Sequence, residues 1–397
     1  MHAEKLLHKR LRDALPNLHL YRLQSLVAAV GGLLRGQQLW SSGLGRHLGG
    51  QVSEKHKVKR VDRLLGNAHL HLERRSVYQW MARLLLAQCR HPCVIVDWTD
   101  ADKNQKLFIL RAAVAVGGRA LPLYEAVHER CHNAEDTGAF LKHLAALLPP
   151  KCCPIIVTDA GFRRPWFKAV EALGWYYVGR VRNRDHLRFP SETATFPAKD
   201  LYPRATATPR DFGAVALTRS APFATTATLY YKGSAGRHRL TAQGQRKQSA
   251  HSEKNAARER EPWLLVSNLP AQRHRARRIV AIYRDRMTIE EAFRDLKAYR
   301  HGFAFRANLG RNVQRIGVLL LIAALGMLVT WLTGLSGIAR NLDRGLQANT
   351  ERRRRVLSTF FIGLRLLRQA LVFTSSEFDA AFDELRQQVH LRSYAEA

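Results

Sequence analysis

The chain has 397 residues, enough for two or three domains and a large core. Its hydrophobic share of 46% and charged share of 24% are those of an ordinary globular protein. Sixty-four Lys and Arg against 32 Asp and Glu leave +32, a self-repulsion that a polyanion relieves, and nucleic acid is the polyanion this favours. The charge names a partner and leaves the activity open, because ribosomal proteins, nucleases, integrases and membrane-surface proteins share it.

The first residues, MHAEKLLHKRLRDAL, lack the uninterrupted apolar stretch of a secretion signal. Residues 1–88 read as a helical domain, with LHLYRLQSLVAAVGGLLRGQQLW apolar at helical spacing. The basic stretch from Lys55 to Leu65 follows, where Lys57, Lys59, Arg60 and Arg63 interleave with apolar anchors. That pattern suits a helix that packs on one side and meets DNA phosphates on the other; a solvated basic face is the alternative. The five cysteines are odd in number and irregular in spacing, which points to a reduced, cytosolic setting. Cys89, His91 and Cys93, and likewise His128, Cys131 and His132, lie close together but lack the paired spacing of a zinc site.

From Cys93 the texture becomes that of an α/β domain. CVIVDWTD, LFILRAAVAVGG and ALPLYEAVHER read as three strands, the last two joined by a Gly117-Gly118 turn. A helix over NAEDTGAFLKHLAALLPP, the strand PIIVTDAGF, a helix over RPWFKAVEALG and the strand WYYVGRVR complete the series. Three strands, helix, strand, helix, strand is the order of a ribonuclease-H-like core. Residues 89–183 would be its first part and 263–335 its second. Between them, 184–262 reads as a β-rich insertion, with strands in FGAVALTR and FATTATLYYKG and then a basic, nearly apolar-free arm. EPWLLVSNLP is a further strand, and one long helical region runs from about Ala271 to Tyr299. Ile316 to Leu335 is apolar enough either to span a bilayer or to lie buried on all sides, and burial in a core is the reading favoured here. Residues 336–397 read as a helical C-terminal region that begins near the basic run Arg352 to Arg355.

Asp97 ends VIVD and Asp159 ends IIVTD, and ligands of α/β sheets gather at such strand ends. For either Asp alone, a turn cap is the favoured reading. Carboxylates brought side by side repel unless a cation lies between them, and a pair or trio suits two Mg2+ ions, with Mn2+ able to substitute. In IYRDRMTIEEAFRDLKAYR, Tyr283, Arg286, Glu290 and Lys297 are spaced three, four and seven apart. At ~100° per residue, an unbroken helix gathers all four within roughly 60° of arc. Thr288 and Glu291 could instead form a capping box that starts a second helix, and a solvated face of ion pairs is the plainer alternative.

The spacing Tyr-x2-Arg-x3-Glu-x6-Lys resembles the signature of bacterial insertion-sequence transposases of the DDE (Asp-Asp-Glu) type with a β-strand insertion in the core. The contexts VDWTD, IVTDAGFRRPWF, EPWLLVSNLP, IEEAFRDLK and QANTERRRRVLST resemble the kind carried by insertion sequence ten, from about Val58 to Arg368. The resemblance implies that Asp97, Asp159 and Glu290 are the catalytic, metal-binding triad. It implies that Tyr283, Arg286 and Lys297 hold DNA-end phosphates, and that Trp263 stacks on a base flipped from the duplex. It further implies cut-and-paste transposition through a hairpin, by a dimer assembled on double-stranded DNA ends and target. Such an enzyme works in the bacterial cytoplasm at the nucleoid, without a membrane. A catalytically inactive DNA-binding relative and a structure-selective nuclease on the same core are the other readings.

Overall fold

The computed structural model describes residues 2–183, 185–233, 260–348, 350–351 and 353–394. It is a mixed α/β chain that divides into two compact units, Met1–Pro154 with Met287–Ala397, and Ile155–Arg286. Most of the basic arm expected in the insertion, and Arg352 of the C-terminal basic run, lie outside the described residues.

The first unit opens with five helices: α1 (His2–Ala14), α2 (Leu20–Gly36), α3 (Ser41–Arg46), α4 (Glu54–Leu65) and α5 (Ala68–Leu86). An antiparallel meander follows, β1 (Cys93–Asp100), β2 (Phe108–Val116) and β3 (Arg119–His128), in the spatial order β3-β2-β1. Gly117 and Gly118, at φ of +45° and +83°, make the turn into β3, a left-handed backbone that glycine adopts without a Cβ clash. Helix α6 (Ala134–Leu147) starts at Asn133, whose side chain accepts a hydrogen bond from the Glu135 amide. Strand β1 runs past Asp97, because Thr99 and Asp100 still pair with Ile109 and Phe108. The sequence expectation that Asp97 ends its strand is thereby corrected: the aspartate lies inside the ladder.

The second unit carries β4 (Ile155–Thr158), α7 (Arg164–Ala172), β5 (Tyr176–Val181), β6 (His186–Arg188), β7 (Phe196–Pro197), β8 (Arg210–Leu217), β9 (Phe223–Tyr230), β10 (Trp263–Ser267) and α8 (Arg275–Arg284). Its strands lie in the order β4-β5-β10-β9-β8-β6-β7. β4 and β5 are parallel and the other described pairs are antiparallel, so the sheet is mixed. The two alternating segments expected to be antiparallel strands are β8 and β9.

The chain returns to the first unit with α9 (Met287–Lys297), α10 (Val313–Ala339), α11 (Thr359–Arg368) and α12 (Ser375–His390). The expected long helix to Tyr299 is therefore broken. At the break the bonds tighten to the i−3 pattern, Asp285 N to Ile282 O and Arg286 N to Tyr283 O. Aspartate competes for backbone donors and favours helix starts over helix interiors, which suits Asp285 to this place. Thr288 lies inside α9 rather than ahead of it, so it is not the capping residue.

Helix α10 is the one described helix long and apolar enough to cross a membrane, and its apolar window is wholly buried inside the chain. The Thr330 and Thr333 hydroxyls bond back to Gly326 O and Val329 O, so no hydroxyl is orphaned there. The apolar side of α12, with Phe378, Phe382, Leu385 and Val389, is buried within the same unit.

Candidate active site

Asp97 sits in a row of charges across the meander. It pairs with Arg111 of β2, and Arg111 pairs with Glu125 of β3, so the three side chains share one face. The Arg111 and Glu125 side chains are fully buried. Arg111 Nε and Nη2 donate to Glu125 Oε1 at 2.9 and 2.7 Å, and the Tyr78 hydroxyl donates to Oε2 at 3.1 Å. The Asp97 carboxylate is half-buried and accepts from the Trp98 amide at 2.8 Å.

Helix α9 lies over this same face. The Arg111 guanidinium stacks 4.6 Å from the centroid of the Phe293 ring, three residues after Glu290. Lys297 Nζ donates to Thr99 Oγ1 at 2.6 Å, and Thr99 projects to the same side of β1 as Asp97. Glu290 and Lys297, seven apart on one helix, share a face of α9. Glu290 is exposed. Burial lowers the Lys297 pKa to about 8, with Asp100 partly opposing the shift. Glu291 is engaged elsewhere, with Arg294 at 2.7 Å and Arg119 at 3.7 Å, and Arg119 also bonds Asp295.

The second unit holds Asp159, Trp263, Tyr283 and Arg286. Asp159 follows β4, and its Oδ1 accepts from the Gly161 amide at 2.8 Å. This is the turn-capping role open to any strand-terminal Asp, and it leaves the other oxygen for a second partner. Trp263 opens β10 half-exposed; its ring meets Tyr283 edge-on at 4.9 Å and Tyr230 at 5.7 Å, with Lys232 Nζ 6.0 Å from the ring centroid. Tyr283 is only 3% exposed, and the Arg286 guanidinium lies 5.9 Å from its ring centroid. The four signature residues thus do not share one helix: Tyr283 lies in the last turn of α8, Arg286 lies in the break, and only Glu290 and Lys297 share α9. The predicted single arc of side chains is corrected accordingly.

On α4, Val61, Leu64 and Leu65 are buried, Lys59, Arg60 and Arg63 are exposed, and Lys57 is half-buried. Arg60, Arg63 and His56 line an open groove of roughly 660 Å3 with His19 and Tyr21, the tyrosine 73% exposed. Sequence reasoning singled out neither Tyr21 nor the Thr99, Arg111 and Glu125 set. Arg111 and Glu125 did leave a signal: each is a lone charge within an apolar strand, on either side of the Gly-Gly turn.

Asp97, Asp159 and Glu290 are hard oxygen donors with accessible side chains, the donor chemistry Mg2+ takes. Among the described residues no three His, Cys, Asp or Glu side chains are grouped to hold a metal ion. The family model of the transposase DDE domain matches residues 88–325, well over half the chain and including all three acids. The chain belongs to this transposase family. No curated protein matches it. As a transposase it is an enzyme of the transposase and nuclease type that acts on DNA, and transposases of this type generally use divalent metals. The match begins after α5, so the five N-terminal helices of the transposase lie outside it.

Proposed function

We propose that this transposase excises DNA at the inverted repeats of its own element and joins the 3′ ends to target DNA, with Asp97, Asp159 and Glu290 as its catalytic acids. The observation that carries the reading is the seating of α9 on the Asp97 face of the sheet, tied down by Lys297 on Thr99 and Phe293 under Arg111. Glu290 lies seven residues back from Lys297, ~10.5 Å along the helix. Asp97 lies two residues back from Thr99, roughly 6.6 Å along the strand. Arg119, at the start of β3 and level with the N-terminal end of β1, bonds Asp295 and faces Glu291, so α9 runs in the sense of β1. Glu290 and Asp97 then come to similar heights on one side.

Two Mg2+ ions, or Mn2+, held by the three carboxylates would activate the nucleophile and stabilise the leaving oxygen. The chain's own cations complete the chemistry. Lys297 and Arg286 would neutralise charge on the nonbridging oxygens of the reacting phosphate, where a desolvated cation acts most strongly. Tyr283 would hold the same DNA end. Water cuts one strand, the freed 3′-hydroxyl attacks the opposite strand to form a hairpin, a second water opens it, and the ends join target DNA. Trp263, half-exposed at the start of β10, would stack on the base flipped as the hairpin tightens. Lys57, Lys59, Arg60 and Arg63 of α4 would contact the repeat. The core is ribonuclease-H-like with the insertion between β5 and β10, two ends require a dimer on DNA, and the enzyme works in the cytoplasm at the nucleoid.

Mg2+-dependent nicking of a duplex from the flanks of its own gene tests the reading. Asp97→Ala, Asp159→Ala and Glu290→Ala should each lower cleavage by at least on the order of 10² while gel shifts persist. Equal cutting by wild type and Asp97→Ala overturns the triad. A joined product with target plasmid separates a transposase from a nuclease.

A further inference from the structure

The first unit holds a second set of cations that this chemistry leaves unused. An open cavity of roughly 670 Å3 is lined by His71, Arg74 and Arg75 of α5, Tyr124 and Glu125 of β3, and Gln314 at the start of α10. Both guanidinium groups are held by neutral partners. Arg74 Nε donates to His71 O at 3.3 Å and its Nη2 to Gln314 Oε1 at 3.2 Å. Arg75 Nη2 lies 3.0 Å from His143 Nε2. Burial and then Arg75 itself push the His143 pKa down, which keeps that ring an acceptor at neutral pH. The seat of Arg74 is built into the fold: a Cβ on Gly317 of α10 would lie 1.7 Å from its Nη1. Glu125, the carboxylate among the described lining residues, already has Arg111 on one oxygen and Tyr78 on the other. Among the described residues, the cavity therefore holds two cations whose side-chain and backbone hydrogen-bond partners are all neutral.

We propose that this cavity binds a backbone phosphate of duplex DNA through Arg74 and Arg75, an inference that rests on the transposase reading above. A planar guanidinium with N–H groups to spare matches phosphate oxygens in charge and geometry. Strand register says which DNA reaches it. Glu125 faces the side of the sheet that Asp97 faces, two strands away, or ~10 Å at about 4.8 Å per strand. Duplex DNA advances about 3.4 Å per base pair. The cavity, beside the edge strand β3, thus lies about three base-pair steps from Asp97.

Fluorescence anisotropy of the full chain on a random-sequence duplex, in EDTA over a range of salt, tests this without any cleavage. Each lost phosphate contact should make the slope of log K against log salt shallower by about 0.9. Arg74→Gln/Arg75→Gln, which removes both cations from the phosphate, should show one such step, and exposed Arg75→Gln up to that step, with unchanged melting curves. Wild-type slope in Arg75→Gln and in the double variant overturns the proposal. So does thermal stabilisation by inorganic phosphate that the double variant loses while its DNA slope stays wild-type, which marks a small-anion site. Wild type that binds duplex with the expected slopes but never nicks end DNA overturns the catalytic reading alone.

Discussion

Lys297 Nζ donates to Thr99 Oγ1 at 2.6 Å, tying the last turn of α9 to β1 two residues beyond Asp97. The bond holds a cation where burial disfavours it, and the Lys297 pKa falls from 10.5 to about 8. If Lys297 holds a DNA phosphate, duplex affinity should fall as pH rises through about 8. Lys297→Arg stays charged and should lose that alkaline limb, as read by anisotropy from pH 7 upward; an unchanged limb in the variant removes Lys297 from DNA binding. The unfolded chain keeps this proton to higher pH than the folded one. The lysine therefore makes stability rise between about 8 and 10.5, with its burial penalty fully present below that window.

Asp295, on the same helix, shifts the other way. Burial raises its pKa from 3.8 to about 6, and Arg119 at 2.7 Å opposes only part of that. The folded state then binds the proton more tightly than the unfolded one. Its stabilising contribution is present at acid pH and is lost as pH rises from 3.8 through about 6. Asp295→Asn removes the titration. The wild-type minus variant difference in melting temperature should decline across that window and then level off. A difference that climbs instead would mean that Arg119 outweighs burial.

The order of strands and helices through the core was legible because its signals are local: apolar runs, Gly117-Gly118, Pro149-Pro150 and Gly174 as stops. The break at Asp285 and Arg286 was not, since the side-chain spacing of a helix continues across it and only backbone bonding reveals it. CVIVDWTD was legible as a strand, but that Asp97 lies inside its ladder depends on Asp100 pairing with Phe108, a contact that no window around Asp97 contains. At the site, the residue types of the proposed triad stood out, but the partners that seat α9 did not. Thr99 is an ordinary strand residue until Lys297 arrives from far along the chain. The row from Asp97 to Glu125 requires a register that shifts between Ala112 and Ala113, which spacing from the turn does not give.

That row makes a stability prediction. Arg111→Met leaves Glu125 charged and fully buried with only Tyr78 beside it, a change that should cost about 3–5 kcal/mol. Arg111→Met/Glu125→Leu removes both charges and should recover most of the loss. Urea unfolding of the two variants checks this through their midpoints at constant slope. Equal destabilisation by the single and double changes would show that packing against Phe293, rather than the charge left behind, sets the cost.

Helices α10 and α11 approach through a reciprocal pair of glycines. A Cβ on Gly363 would lie 1.9 Å from Thr330 O, and one on Gly334 would lie 2.2 Å from Thr359 O. Both obstacles are backbone carbonyls, which cannot swing aside as a flexible side chain can, so the helices must part to admit a methyl group. Gly363→Ala improves intrinsic helix propensity by up to about 1 kcal/mol. Overpacking costs about 1–3 kcal/mol in a well-filled core, so the loss should win. Gly363→Ala should therefore lower the melting temperature, and Gly138→Ala, on α6 with open space where its Cβ would stand, should leave it unchanged or raise it. A stabilised Gly363→Ala variant would show that the two helices are not held this close in solution.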